Sequence, residues 1–257
     1  LAQLARAAKK RIKVLVRIAP TRVPPGFGDT MAGKPCAFGI DEEDLEPALK
    51  EIQALSDVLS LEGFHAYSGT QCLRASAIAE NYRIFADLFT RAATLASITP
   101  RKLIFGSGIG IVYHEGQEPV DLATVAAESS STLDELRERM PGVRLVLEMG
   151  RYLVGEAGVL VTRVLRTKDS RGTRIGICDA GINHHMAAAG LFGMAIRRNY
   201  CIRNISADAP PSGAYQLSGP LCTPIDVLAR NLALSRLEAG DLIVIQSSGA
   251  YGATASL

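Results

Sequence analysis

Through Arg151 the chain alternates short apolar runs with longer amphipathic stretches. Val14-Leu15-Val16-Arg17-Ile18 has the β-rich, apolar character of a buried strand, and Gly63–Tyr67, Lys102–Phe105 and Arg144–Leu147 repeat it. Between the first two, Leu45, Leu49, Ile52, Leu55 and Leu59 recur at spacings of three and four behind Asp41, a residue suited to cap a helix. Ile78, Tyr82, Phe85 and Phe89 mark a second helix, and the stretch from Leu122 to Met140 a third. Strands roughly forty residues apart with helices between them predict right-handed βα units on a parallel sheet. Four such units make about half of an eight-stranded barrel of ~250 residues.

Beyond Arg151 the pattern changes. Val159–Arg166 and Thr173–Cys178 read as strands flanking the turn-forming Asp169-Ser170-Arg171-Gly172, and Leu242–Gln246 as another, with Pro and Gly punctuation between. The expected fold is therefore α/β: a partial (β/α)8 TIM-type barrel, roughly its second half, over residues 1–152, followed by a C-terminal mainly-β domain over residues 153–257. The chain opens on Leu1 and stops at Leu257 after a polar, Gly-rich run, so both ends are expected to be cut.

Composition narrows the function. With 257 residues, 47% hydrophobic and 21% charged, the chain is an ordinary globular one. Its 28 basic and 26 acidic residues leave a net charge of +2, which argues against a nucleic-acid partner bound through a broad basic face. No apolar run approaches the ~20 residues of a membrane span. Five cysteines without a CxxC pair give neither a disulfide framework nor a zinc site, so a cytoplasmic location is expected.

Candidate chemistry lies where strands end, the side on which barrel active sites are built. His65-Ala66-Tyr67-Ser68-Gly69-Thr70-Gln71 follows the second strand, and Phe105-Gly106-Ser107-Gly108-Ile109-Gly110 the third. The glycines there either cradle an anion with backbone N–H groups or simply form a tight turn. Glu148-Met149-Gly150-Arg151 follows the fourth strand and sets a carboxylate and a guanidinium three residues apart, either as site groups or as a pair. In the β half, Cys222 lies in Ser218-Gly219-Pro220-Leu221-Cys222-Thr223-Pro224-Ile225-Asp226, a turn that exposes a thiol better than a core does. His184-His185 has no carboxylate–His spacing to support a metal, and none is expected. His114, without a companion, reads as a surface residue, and Cys36, Cys72, Cys178 and Cys201 as packing residues. Ser247-Ser248-Gly249-Ala250-Tyr251-Gly252 either presents a tyrosine hydroxyl or forms a turn.

The order of these segments is more specific than any one of them. FHAYSGTQ, FGSGIGIVY, EMGRYL, CDAGINHH, SGPLCTPID and GDLIVIQSSGAYG together resemble the fold-type III pyridoxal-phosphate decarboxylases, the ornithine, diaminopimelate and arginine decarboxylase family, from about Val14 to Leu257. The NHH and GPLCTPxD variants look closest to the branch with aminoglycoside-pathway enzymes that act on carrier-tethered amino acids. The resemblance implies a barrel joined to a β domain, pyridoxal 5'-phosphate as cofactor, and decarboxylation of a free or carrier-tethered amino acid through a quinonoid intermediate. Glu148 would bond the pyridine nitrogen and keep it protonated, so that the ring draws off electrons when carbon dioxide departs. Backbone N–H groups of Gly106, Ser107 and Gly108 would hold the phosphate, with Arg151, Thr70 and Tyr251 adding side-chain donors. Tyr67 would stack on the ring in place of a histidine found in many relatives. Cys222 would return a proton to the α-carbon, reaching in from the partner subunit of a homodimer. Thr223 and Asp179 would contact substrate.

Departures from the family pattern refine this. Ser107 replaces the middle glycine of the loop, which is tolerable at negative φ. Met149 and Val112 replace prolines. Thr223 stands where diamine-forming enzymes carry an acid for the distal ammonium, which favours a neutral or amide-linked side chain. No lysine matches the one that holds the cofactor on the first barrel strand, so residues 1–257 are expected to be inactive alone. Diaminopimelate decarboxylation is the alternative activity. A non-catalytic relative that binds a partner protein is the alternative of another class.

Overall fold

The computed structural model describes residues 1–191 and 197–256. The chain divides into two compact units, Leu1–Gly110 with Val120–Met149, and Ile111–Pro119 with Gly150–Leu257. The segment Ile111–Pro119, which the sequence pattern leaves with the barrel-like part, thus belongs to the second unit.

The first unit runs α1 (Ala2–Ala7), β1 (Ile12–Ala19), β2 (Ile40–Asp41), α2 (Leu45–Ala54), β3 (Leu59–Tyr67), α3 (Ala75–Leu95), β4 (Lys102–Gly106), α4 (Leu122–Arg139) and β5 (Arg144–Glu148). Its strands form one sheet in the order β2-β1-β3-β4-β5, with every pairing parallel. Two local expectations are corrected. Leu59 opens β3 rather than closing α2, because the chain leaves the helix at Leu55. Asp41 precedes a 3-10 turn, Glu42–Asp44, and its side chain makes no capping bond.

The apolar spacing of α3 does what it predicts. Ile78, Phe85 and Phe89 are fully buried, and the Phe89 ring meets Phe105 edge-on at 5.2 Å and Phe64 in a stack at 6.5 Å. Burying one such ring contributes about 1.5–3 kcal/mol. Because side chains alternate across a strand, Phe64, Ala66, Leu103 and Phe105 supply the buried face, and their neighbours His65, Tyr67, Ile104 and Gly106 take the other.

The second unit carries α5 (Gly150–Val154), β6 (Leu160–Ser170), β7 (Thr173–Cys178), β8 (Ile202–Asn204), β9 (Gly213–Ser218), β10 (Val227–Leu234) and β11 (Leu242–Ile245). The sheet order is β10-β9-β7-β6-β11-β8, antiparallel except for β7 beside β9. Arg171 and Gly172, at φ 51 and 82, form the two-residue turn between β6 and β7; such left-handed pairs match the twist of a hairpin. Val164, Cys178, Leu217, Leu228, Ile243 and Ile245 make a core with no solvent exposure. Among the described residues, no helix is long and apolar enough to cross a membrane.

Candidate active site

Register alone aligns three of the expected residues. Tyr67 pairs with Gly106 and Gly106 with Glu148, so the ends of β3, β4 and β5 present them in one row on one face. Two residues back, Arg17, His65, Ile104 and Val146 form the row beneath. A Cβ on Gly106 would fall 2.8 Å from Cβ of Tyr67, so the tyrosine requires glycine beside it. The Glu148 side chain is half exposed and takes a hydrogen bond from His65 Nε2 at 2.9 Å. Burial pushes the His65 imidazole below its ordinary range; Glu148 opposes this and Arg17 adds to it, so the ring is neutral at pH 7 with its proton on Nε2. The Arg17 guanidinium lies 4.8 Å from the Phe38 ring and 5.7 Å from the Tyr67 ring. The imidazole beside Glu148 is thus His65, although the family pattern drew attention to Tyr67.

The glycine turn is tied to this row. Ser107 is not among the residues with positive φ, so its side chain is accommodated. Its hydroxyl donates to the Glu148 carbonyl at 2.7 Å and its N–H donates to the same oxygen at 3.0 Å. That N–H therefore extends the strand pairing. Gly108 has φ +65, and a Cβ there would come within 3.0 Å of the Phe27 ring. Thr70 is buried; its N–H donates to Asp29 O at 3.0 Å and its carbonyl accepts from Gly28 at 2.7 Å. Beneath the loop, Ser68 donates to Asn81 Oδ1 at 2.7 Å.

Within the second unit a guanidinium is set against two tyrosines. Arg151 Nη1 donates to the Tyr113 hydroxyl at 2.6 Å, and its guanidinium lies 4.6 Å from the Tyr251 ring centre and 5.5 Å from that of Tyr113. Tyr113, absent from the sequence-based candidates, is 5% exposed, and burial raises its hydroxyl pKa despite Arg151. His114 is half-buried rather than on the surface: its Nδ1 meets Asn199 O at 2.9 Å and its ring meets Tyr200 edge-on.

Cys222 is exposed, whereas Cys72 and Cys178 are buried and Cys36 and Cys201 half-buried. It lies in the loop between β9 and β10, which is organised by Asp226. That carboxylate is 2% exposed and accepts N–H groups of Ile182 and Leu221, each at 2.7 Å. The bond to Ile182 brings the Cys222 loop to the segment that starts at Asp179. Asp179 Oδ1 accepts from Thr162 Oγ1 at 2.7 Å and Arg163 N at 2.8 Å, which holds its carboxyl below the usual range. Thr223 lies in the same turn, its hydroxyl 3.5 Å from Ile225 N.

The first unit sets a carboxylate at a parallel strand end beside a constricted glycine turn, and the second carries a guanidinium set against two tyrosines and an exposed thiol on a pinned loop. They suit a phosphorylated, ring-nitrogen cofactor and a proton donor. Residues 40–249 match the family described as pyridoxal-dependent decarboxylase, C-terminal sheet domain. The chain belongs to that family, the fold-type III decarboxylases, whose cofactor is pyridoxal phosphate. It is 34% identical to the L-glutamyl-[BtrI acyl-carrier protein] decarboxylase of Niallia circulans, over 97% of this chain and 59% of that protein. It is 30% identical to the diaminopimelate decarboxylase of Zymomonas mobilis, over 99% of this chain and 58% of that one. Among solved structures, the diaminopimelate decarboxylase of M. jannaschii in co-complex with L-lysine superposes with a TM-score of 0.83 at 25% identity, covering 99% of this chain and 58% of that one. The chain thus spans about three-fifths of the length of these relatives.

Proposed function

We propose that the protein to which this chain belongs is a pyridoxal-phosphate-dependent amino-acid decarboxylase, and that its substrate carries a neutral or carrier-linked distal group. The observation that carries the reading is the exposed Cys222, on a loop fixed by a buried carboxylate. Support for the substrate class comes from Thr223, a neutral residue within that turn, and from the carrier-linked activity named for the Niallia circulans relative. When bound, the cofactor would supply a protonated ring able to draw off the electron pair freed by decarboxylation.

Each residue then has a defined task. Glu148 accepts the ring N–H and keeps it protonated, and the neutral His65 holds the carboxylate in place from its other side. Tyr67 offers an aromatic face. Gly106 and Gly108 would allow close approach, and Thr70, Arg151 and Tyr251 would donate to phosphate oxygens as the family pattern implies, each charge-assisted bond contributing about 1.5–3 kcal/mol. Cys222 Sγ delivers its proton to the α-carbon from which carbon dioxide has left. Asp179 and Thr223 bound the substrate. The parallel sheet is read as part of a (β/α)8 barrel, the lysine that carries the cofactor as lying outside residues 1–257, and Cys222 as serving the partner subunit of a homodimer.

The test uses the whole protein loaded with pyridoxal phosphate, offered free L-glutamate, a glutamyl-carrier thioester and diaminopimelate, with release of carbon dioxide as readout. Release from the carrier-linked substrate, and loss of clean amine product in Cys222→Ala, are expected. Turnover of diaminopimelate alone would move the assignment to that substrate. No release from any of the three, with Cys222→Ala indistinguishable from the parent, would leave a partner-binding protein on a decarboxylase fold.

A further inference from the structure

The buried imidazole of His185 has no place in the reaction described above, yet its hydrogen bonds are fully specified. Its residue is 1% exposed. Nδ1 accepts the N–H of Ala188 at 3.2 Å, so the proton of the neutral ring must sit on Nε2. Nε2 lies 3.0 Å from Ser248 Oγ and donates to it, while the Ser248 hydroxyl donates to Ile245 O at 2.9 Å. The direction of these bonds excludes the alternative of a histidine base activating a serine, because the serine proton is already committed to a carbonyl. Burial reinforces the neutral form, pushing the imidazole down to about 4.

Ser248 belongs to the turn that carries Tyr251, and that turn is conformationally costly. Ser247 and Tyr251 have φ of 53 and 57, a left-handed conformation that costs a residue with a side chain roughly 1–2 kcal/mol. The turn is held on its other side by backbone bonds from Ser248 to Gly158 at 2.8 Å and from Gly249 to Gly155 at 2.9 Å. His185 is its buried side-chain anchor, itself braced edge-on against Tyr200 at 5.3 Å. A Cβ on Gly252, the residue after Tyr251, would lie 3.7 Å from Nε2, so the imidazole underlies the end of the turn as well as its start. The Tyr251 ring then meets Arg151 at 4.6 Å.

We propose that His185 is a positioning residue for the Arg151–Tyr251 pair: through Ser248 it fixes the turn that sets Tyr251 against the guanidinium, and so tunes recognition of the cofactor's phosphate rather than its ring. The proposal rests on the reading that this pair takes the phosphate. It is tested on the whole protein by comparing its affinities for pyridoxal phosphate and for pyridoxal. The parent is expected to favour the phosphorylated form, and His185→Ala to lose about tenfold of that preference, the worth of one hydrogen bond. His185→Gln, whose amide N–H can reach Ser248 Oγ, is expected to restore most of it. Ser248→Ala, a smaller change that removes the hydroxyl accepting from His185 and donating to Ile245 O, is expected to behave as His185→Ala does. Equal weakening toward both ligands, or a Ser248→Ala protein with the parent's preference, would overturn the proposal by reducing His185 to a packing residue. A parent protein without preference for the phosphorylated ligand would instead overturn the phosphate reading of Arg151 and Tyr251 on which the proposal stands.

Discussion

Replacing Asp226 by asparagine tests whether the Cys222 loop is held by charge. The carboxylate is 2% exposed and receives two backbone N–H groups at 2.7 Å, from Ile182 on one side and Leu221 on the other. It is also pressed between Gly181 and Gly219, since a Cβ on Gly181 would lie 2.7 Å from its Cγ. An amide of the same shape has one oxygen to offer. Whichever way it turns, its NH2 confronts a backbone N–H, so one hydrogen bond is lost and one buried donor is stranded. The lost bond to a charged acceptor is worth about 1.5–3 kcal/mol, and the stranded donor costs about 1–3 kcal/mol. Relief of the desolvation carried by a buried charge offsets part of this, leaving about 2–4 kcal/mol of net destabilisation. Urea unfolding at pH 7, followed by circular dichroism, should show the midpoint falling by roughly 1–2 M for a slope of about 2 kcal/mol/M. Turnover should fall with it while cofactor affinity holds, because the loop that carries Cys222 loses its anchor. A loss of stability under about 0.5 kcal/mol, with turnover intact, would refute the view that this carboxylate organises the loop.

Other substitutions probe the remaining contacts. Tyr113→Phe removes the acceptor of the 2.6 Å bond from Arg151; it should cost about 1.5–3 kcal/mol of stability by urea unfolding, and an unchanged midpoint would show that the hydroxyl is dispensable. Gly106→Ala forces a methyl against Tyr67 and should destabilise by about 1–3 kcal/mol, with Tyr67→Ala in the same protein recovering most of it. A double-mutant cycle without coupling would mean that the clash is relieved elsewhere. The His185 pKa of about 4, below the ordinary 6.5, makes stability depend on pH. Between those values the unfolded chain binds the proton that the folded protein refuses, so this contribution is complete above about pH 6.5 and is lost as pH falls to 4. It amounts to at most about 3 kcal/mol. His185→Gln should therefore lose less stability than the parent between pH 7 and 4.5, and equal losses would remove His185 from the account.

What the sequence disclosed followed from local pattern. The strands β1, β3, β4 and β5 are runs of apolar residues, and α3 repeats its apolar side chains at helical spacing, so both are legible without a structure. Strand β10 is not, because its pairing with β9 slips twice and Asn231 adopts φ 49, which breaks the alternation that would mark a strand. Strand β8 has three residues, too few to show a period. Leu59 continues the spacing of α2 by coincidence, and only its pairing with Ile12 reveals a strand. The candidate site divides in the same way. Glu148, Arg151 and Cys222 stand in motifs that can be read along the chain. The partners that orient them cannot, because each lies far away in sequence: His65 is 83 residues from Glu148, Tyr113 is 38 from Arg151, and Asp226 reaches 44 residues back to Ile182.

The one departure in the glycine loop shows how such a motif tolerates change. A parallel register places Tyr67, Gly106 and Glu148 in one row, and a slip of one residue in any of the three strands would turn that strand's residue to the opposite face. Gly106 is demanded by its neighbour Tyr67, and Gly108 by its φ of +65 and by Phe27. Nothing of that kind constrains position 107, where φ is not positive and the backbone N–H is already spent on Glu148 O. A serine there adds a second bond to the same carbonyl at 2.7 Å, so the turn after β4 grips the end of β5 with two donors instead of one. The substitution therefore works on the placement of Glu148 and leaves the close approach offered by the flanking glycines intact.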